Sequence, residues 1–155
     1  MGNTRTWVAG AALFAVTFTA VMLAARAATA DAQSEEPVPA YHAEVPKGEL
    51  PPTMDPAQFE NAVVKNAYAL AAKTRKVLYQ QPCYCRCDRG HGHGSLLDCF
   101  TSTHGSMCNI CVEEALYSYE QTRKGKSAAQ IRDGIVKGEW QKIDAAKYRT
   151  YPTKP

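Results

Sequence analysis

All six cysteines of the 155-residue chain lie between positions 83 and 111, and three of its four histidines lie in the same interval. Thiolate and imidazole are ligands that Zn²⁺ and Cu(I) accept, and thiolates also exchange disulfides. The segment therefore predicts a metal-binding or redox-active centre. The first candidate ligands are Cys83, Cys85, Cys87, Cys108 and Cys111, and His91, His93, His104 and Cys99 follow them.

The spacing of these residues indicates two groups that meet after folding. Cys83, Cys85 and Cys87 alternate with other residues, so an extended chain would place them on one face. Cys108 and Cys111 are three residues apart at the predicted start of a helix, so both can face the same side. The free N–H groups at a helix start favour thiolate, and a lowered thiol pKa is expected for at least one of them.

Several interpretations of the cysteines remain open. Nine candidate ligands exceed the four that one tetrahedral ion takes, which indicates two sites or a division between bridged and coordinating cysteines. Three structural disulfides are an alternative, because the count is even. Cys-x-Cys neighbours in an extended chain are, however, too far apart and too parallel at Cβ to bridge each other easily.

A thiol–disulfide redox protein is a further alternative, since Cys108 and Cys111 have the C-x-x-C spacing of disulfide oxidoreductases. The βαβ pattern of such enzymes is missing. Heme attachment is excluded, because Val112 and not histidine follows Cys111. No glycine-rich phosphate loop, serine motif or paired carboxylates stand out, so no nucleotide cofactor is expected. Glu113 and Glu114 are expected to complement the dipole of the helix.

The N-terminus predicts export. Arg5 precedes an uncharged run over 7–25, and Ala28-Thr29-Ala30 has the small-residue pattern of a cleavage site. We expect a signal peptide at 1–30 and a periplasmic or extracellular protein, with an uncleaved membrane anchor as the alternative. Removing Arg5 and Arg26 leaves 16 basic against 15 acidic residues, a net charge of +1. This near-neutral balance does not support a nucleic-acid partner, which would need a basic patch. The expected partner is a metal ion or a redox or metal-handling protein.

The remaining chain divides by composition into three zones. Residues 31–54 are rich in proline and predict a disordered linker. Residues 55–140 carry helical patterns and form the predicted Cys-rich domain, and 141–155 predict a polar tail. A domain of this size buries little apolar surface, so disulfides or a metal are expected to staple it.

The helical patterns predict a mainly α fold of about three helices around a large Cys/His-rich loop. Asp55-Pro56-Ala57-Gln58 predicts the start of a long helix that stops near Gln80. Residues 95–100 predict one or two helical turns. A second helix is expected from Ser106 to Gly125, and a third from Ser127 to Gly138.

Four motifs in order carry a resemblance to a known family. They are PCYCRC, His-Gly-His, SLLDCF, and CNIC followed by EEALYSYEQTRKGKSAAQIRDGI. Over roughly residues 55–140 the chain resembles the bacterial family defined by a PCYCGC motif, which is also catalogued as CYCXC (seleno)proteins. Selenocysteine in some members implies a redox or soft-metal role.

The chain departs from that family at two points. Arg86 stands where the motif has glycine, so this position is expected not to need a glycine-only backbone angle. Many relatives resemble lipoproteins, whereas residues 1–30 of this chain contain no cysteine.

Overall fold

The computed structural model describes residues 36–151. The chain divides into two units, Met1–Pro37 and Val38–Pro155, and every described helix lies in the second. The predicted signal peptide at 1–30 lies outside the described residues. No helix among those described combines the length and the apolar character that a membrane crossing requires.

Helices account for all the regular structure of the described part, in which no strand occurs. The α-helices are α1 (Ala62–Lys73), α2 (Arg75–Leu78), α3 (Cys87–His91), α4 (Asn109–Arg123) and α5 (Ala128–Val136). The 3-10 segments are Pro56–Gln58, Leu96–Phe100, Thr103–Met107, Glu139–Lys142 and Ala145–Arg149. The predicted mainly α class is confirmed.

The first predicted helix begins later than expected. Asp55 caps only a 3-10 turn, whose end at Phe59 is extended. Asn61 then caps α1, and its side chain accepts hydrogen bonds from two backbone N–H groups of the first turn. The prediction of one helix from Asp55 is wrong because Asn61 supplies a second start signal, and the extended residue between them lets the Phe59 ring pack 4.2 Å from Tyr68.

Tyr68 ties α1 to the segment that carries Cys99. Its fully buried ring lies between Phe59 and Phe100, 4.8 Å from the latter. Its hydroxyl donates to the backbone oxygen of Ser102 at 2.7 Å. Burial raises the pKa of Tyr68 to about 12, so it remains a donor at neutral pH. This hydrogen bond fixes the position of the 3-10 segment Leu96–Phe100 along α1.

Residues 38–54 pack on the helices, although the composition predicts a disordered linker over 31–54. Pro39 is fully buried. His42 stacks on Tyr79, with ring centroids 4.0 Å apart and planes 10° from parallel. A proline-rich chain loses little entropy on ordering, so a few ring contacts are enough to hold it.

Residues 141–151 also pack on the helices, although the composition predicts a polar tail over 141–155. Tyr148 is 3 % exposed and belongs to the main core. Its hydroxyl donates to Glu120 Oε1 at 2.8 Å, and its backbone oxygen accepts from the Asn66 side chain. The buried Tyr148 ring and its two hydrogen bonds thus hold this polar segment against the helices.

Gly105 lies where the backbone of the neighbouring segment leaves no room for a side chain. A Cβ at this position would be 2.8 Å from the Cys99 carbonyl oxygen and 3.2 Å from the Tyr68 hydroxyl. Real Cβ atoms do not approach backbone oxygens so closely. The absence of a side chain at Gly105 therefore sets the position of Cys99.

We predict that Gly105→Ala lowers the free energy of unfolding by about 1–3 kcal/mol, because the methyl group must displace the Cys99 backbone. Gly90→Ala is the matched control. Gly90 is exposed in α3 and has nothing within 4 Å of the new Cβ, so this change should stabilise by about 0.5–1 kcal/mol. Urea unfolding of both variants measures the two changes in the free energy of unfolding. Equal changes would contradict the close approach of Gly105 to the Cys99 backbone.

Candidate metal centre

Five of the six cysteine sulfurs form one group, with every Sγ within 4.8 Å of every other. This sulfur cluster consists of Cys83, Cys85, Cys87, Cys99 and Cys111. Cys83 Sγ lies 3.1 Å from the sulfur of Cys85, 3.5 Å from that of Cys111 and 3.9 Å from that of Cys99. Three segments of the chain therefore converge on one point, and the cluster is positioned to bind a metal.

Cys108 is the candidate ligand that the structure leaves outside the sulfur cluster. It is the extended cap residue before α4 and is partly exposed. Cys111 lies in the first turn of that helix and is fully buried among the other sulfurs. The three-residue spacing puts both on one helix face only when both are helical. Because the helix begins at Asn109, Cys108 is not helical, and its sulfur is not part of the sulfur cluster.

Cys99 lies in the sulfur cluster and is 0 % exposed. Its 3-10 segment carries Leu96, Leu97 and Phe100, all fully buried, which draw the intervening cysteine inward. Asp98 fixes the start of the segment, because Oδ2 accepts from the N–H groups of the two residues before Leu96, at 2.7 and 3.2 Å. The apolar residues around Cys99 in the SLLDCF motif are the sequence feature that indicates its burial.

The Cys-x-Cys-x-Cys loop is folded and not extended. Arg86 has φ 62° and ψ 33°, the only positive φ of a non-glycine residue in the range 36–151. Its N–H donates to the Cys83 carbonyl oxygen at 3.1 Å, which closes a turn, and α3 starts at Cys87. The expectation that Arg86 does not need a backbone angle typical of glycine is wrong. The turn requires a positive φ at this position, whichever residue occupies it.

This turn brings Cys85 and Cys87 into disulfide contact, with their Cα atoms 5.7 Å apart. That separation lies within the usual range for a bridge. The expectation that Cys-x-Cys neighbours do not bridge easily is wrong here, since it assumed an extended chain. The other four cysteines are unpaired, so the structure does not contain the three disulfides of the stapled alternative.

The three histidines of the loop form a group beside the sulfur cluster, with ring centroids 4.3 to 5.8 Å apart. His104 Nε2 lies 3.0 Å from Cys87 Sγ, and His93 Nδ1 lies 3.3 Å from Cys99 Sγ. His91 is exposed on the outside of the group. Burial, followed by the neighbouring His104, lowers the pKa of His93, which favours the neutral imidazole that metal binding requires.

Glu114 is a buried carboxyl group at the sulfur cluster, whereas its place near the helix start predicts only a favourable interaction with the helix dipole. It is 0 % exposed. Its Oε1 accepts from the Tyr84 backbone N–H at 2.9 Å, and its Oε2 has no partner. Burial raises the pKa of Glu114 to about 8, although the Tyr84 hydrogen bond lowers it. The signal was its spacing, since a residue three positions after Cys111 shares its helix face.

The buried thiols of the sulfur cluster hold their protons. A hydrogen bond with Cys83 lowers the pKa of Cys111, but the hydrogen bond with Cys99 and burial outweigh it, and the net pKa is raised. The pKa of Cys83 is also raised, chiefly by its hydrogen bond with Cys111. Cys111 is therefore not the thiol with a lowered pKa that the helix start predicts, because burial removes the water that would stabilise a thiolate.

The left-handed angle at Arg86 leads to a stability prediction. A side chain in this region costs about 1–2 kcal/mol, partly offset by the greater chain entropy that glycine loses on folding. We expect Arg86→Gly to raise the free energy of unfolding by about 0.5–1 kcal/mol. Urea unfolding of the protein checks this expectation.

Arg86→Ala is the control for the loss of the side chain. The guanidinium lies 5.5 Å from the centre of the Tyr84 ring, and alanine removes that contact while it keeps the strained angle. This variant should be equal to or less stable than the original chain. If alanine and glycine stabilise equally, the effect comes from the arginine side chain and not from the backbone.

The comparisons with known proteins concern the same region. A family model matches residues 19–143, and its description is a protein of unknown function with a PCYCGC motif. No curated protein and no solved structure matches the chain. The matched span contains the whole sulfur cluster and the three histidines beside it. The chain therefore belongs to the family of proteins of unknown function with a PCYCGC motif, and it carries Arg86 at the position of the motif's glycine.

Proposed function

We propose that this chain is an exported protein that binds a Zn²⁺ ion at the sulfur cluster. The observation that carries the proposal is the convergence of five sulfurs, flanked by two imidazole nitrogens, in the interior of a small domain. The ligands of the ion would be Cys83, Cys99, Cys111 and His93. Cys85 and Cys87 are paired, and the sulfur that His104 contacts belongs to that pair.

The spacing of the sulfurs supports a tetrahedral ion. Metal–sulfur bonds of about 2.3 Å in a tetrahedral site hold two sulfurs about 3.8 Å apart. Cys83 Sγ lies 3.5 Å from Cys111 Sγ and 3.9 Å from Cys99 Sγ, on both sides of that value. His93 Nδ1 lies 3.3 Å from Cys99 Sγ and would supply the fourth ligand.

Charge favours a divalent over a monovalent ion. Three thiolates with Zn²⁺ have a net charge of minus one, whereas the same thiolates with Cu(I) have a net charge of minus two. The three sulfurs are at most 4 % exposed, so little water is available to stabilise the larger charge. Cu(I) is the competing soft ion, and the experiment below includes it.

Burial also indicates what the ion would do. Four protein ligands leave no open position for substrate, which is typical of structural sites and not of catalytic ones. Bound zinc would staple three chain segments of a domain with a small core. A partner that exchanges metal would reach the ion from the histidine side, where His91 is exposed.

For the redox alternative, Cys85 and Cys87 are better candidates than the C-x-x-C pair. Cys108 and Cys111 are both unpaired, and Cys108 lies outside the sulfur cluster, so the C-x-x-C gains no support. The disulfide contact between Cys85 and Cys87 is the observation that favours thiol–disulfide chemistry. This pair adjoins the proposed zinc ligands, which makes the two chemistries compatible.

We predict that protein purified anaerobically without chelator contains about one Zn²⁺ per chain, and that Cys99→Ser lowers the content at least tenfold because it removes a buried ligand. Cys108→Ser is the matched control and should keep the full content, since Cys108 lies outside the sulfur cluster. Elemental analysis of the three proteins measures the result, with Zn²⁺ and Cu(I) each offered in excess.

Three outcomes would contradict the proposal. Less than a tenth of an equivalent of either ion in the original chain would mean that the sulfur cluster binds no metal. Equal losses in Cys99→Ser and Cys108→Ser would mean that the ion binds elsewhere. Preferential retention of Cu(I) over Zn²⁺ would overturn the choice of zinc.

Export is the second part of the proposal, and the sequence of 1–30 supports it. The protein recovered from the cell envelope or medium of the producing bacterium should begin at Asp31. Its intact mass measures the cleavage site. A membrane-bound chain that keeps residues 1–30 would contradict cleavage and support the anchored alternative.

A further inference from the structure

The donors around the sulfur cluster are too many for one ion. Five sulfurs and the nitrogens of His93 and His104 give seven donors in one network of contacts. A single tetrahedral ion uses four of them. Two tetrahedral ions that share one bridging ligand use all seven. The number of donors therefore fits a pair of ions.

The disulfide divides these donors into two sets. Cys85 and Cys87 are paired in the structure and cannot both act as thiolate ligands in that state. His104 belongs with them, because its Nε2 lies 3.0 Å from Cys87 Sγ and no closer sulfur contact competes. The proposed zinc ligands form the other set.

We propose that the reduced protein binds a second Zn²⁺ through Cys85, Cys87 and His104, with Cys83 as the thiolate that bridges both ions. This inference rests on the proposed function. Cys83 fits the bridging position because its sulfur contacts both sets, at 3.1 Å from Cys85 Sγ and at 3.5 Å from Cys111 Sγ. The Cys85–Cys87 pair thus sets how many ions the protein holds.

The redox step needs a two-electron reductant, and a dithiol in the compartment that receives the exported protein would supply it. The dithiol attacks the S–S bond of the pair and becomes a disulfide. Its two protons end on Cys85 and Cys87, which become thiols. Zinc then displaces these two protons when it binds.

Charge balance supports the second ion. Reduction followed by deprotonation adds two negative thiolates to a mostly buried site, and one Zn²⁺ cancels them. The state with two ions and five thiolates has a net charge of minus one, equal to that of the state with one ion and three thiolates. The two states are therefore comparable in electrostatic cost, although they hold different numbers of ions.

Native mass spectrometry of the full protein, as recovered from cells, tests the proposal. One sample keeps its disulfide and the other is reduced with a phosphine under argon; both receive excess Zn²⁺ and are desalted. We expect one ion per chain before reduction and two after it. Alkylation of the zinc-free, denatured protein should count four thiols before reduction and six after it.

Variants separate the two sites. The double change Cys85→Ser with Cys87→Ser should bind one ion whether or not the reductant is present. His104→Ala, which leaves the cysteines intact, should weaken the second ion at least tenfold and keep the first. Cys108→Ser should behave as the original chain in both samples.

Each contrary result has a distinct meaning. One ion in both samples would overturn the second site and leave the proposed function standing. No ion in either sample would overturn both. Two ions before reduction, or six free thiols in the untreated protein, would overturn the control by the disulfide. Retention of both ions at full affinity in His104→Ala would remove that residue from the site.

Discussion

The close packing of five cysteine sulfurs inside a small domain is the constraint on which the rest of the structure depends. If all were thiolates, their mutual repulsion in a site with little water would oppose folding. Such a group is stable when its members are protonated, bridged or bound to a cation. The structure contains the first two solutions, in the raised thiol pKa values and in the Cys85–Cys87 pair. A metal ion would supply the third.

Two contacts of the surrounding helices hold the segments of the sulfur cluster in place. Tyr68 of α1 fixes the segment that carries Cys99. Glu114 of α4 fixes the loop of Cys83 through the backbone N–H of Tyr84. Both contacts join residues about thirty positions apart. Ligands that are oriented by such supporting contacts bind metal more tightly than ligands on free loops.

The strained angle at Arg86 lies at the site and nowhere else among the non-glycine residues of 36–151. Strain of this kind is typical of functional sites, where the surrounding structure enforces it. Here it produces the turn that places Cys85 beside Cys87. The family motif has glycine at this position, which adopts the same angle without strain. The backbone shape thus explains the glycine in the motif.

The sequence by itself determined the helical class, the family and the segment that carries the chemistry, because periodicity, motif order and the clustering of cysteine and histidine are local properties. Only the tertiary structure decided that Cys99 joins the sulfur cluster while Cys108 does not, and that Cys85 meets Cys87. These outcomes depend on where α4 begins, on the backbone angle at Arg86 and on which apolar neighbours pull a segment inward. Packing between distant segments determines all three of these features. The spacing of residues along the chain does not specify that packing.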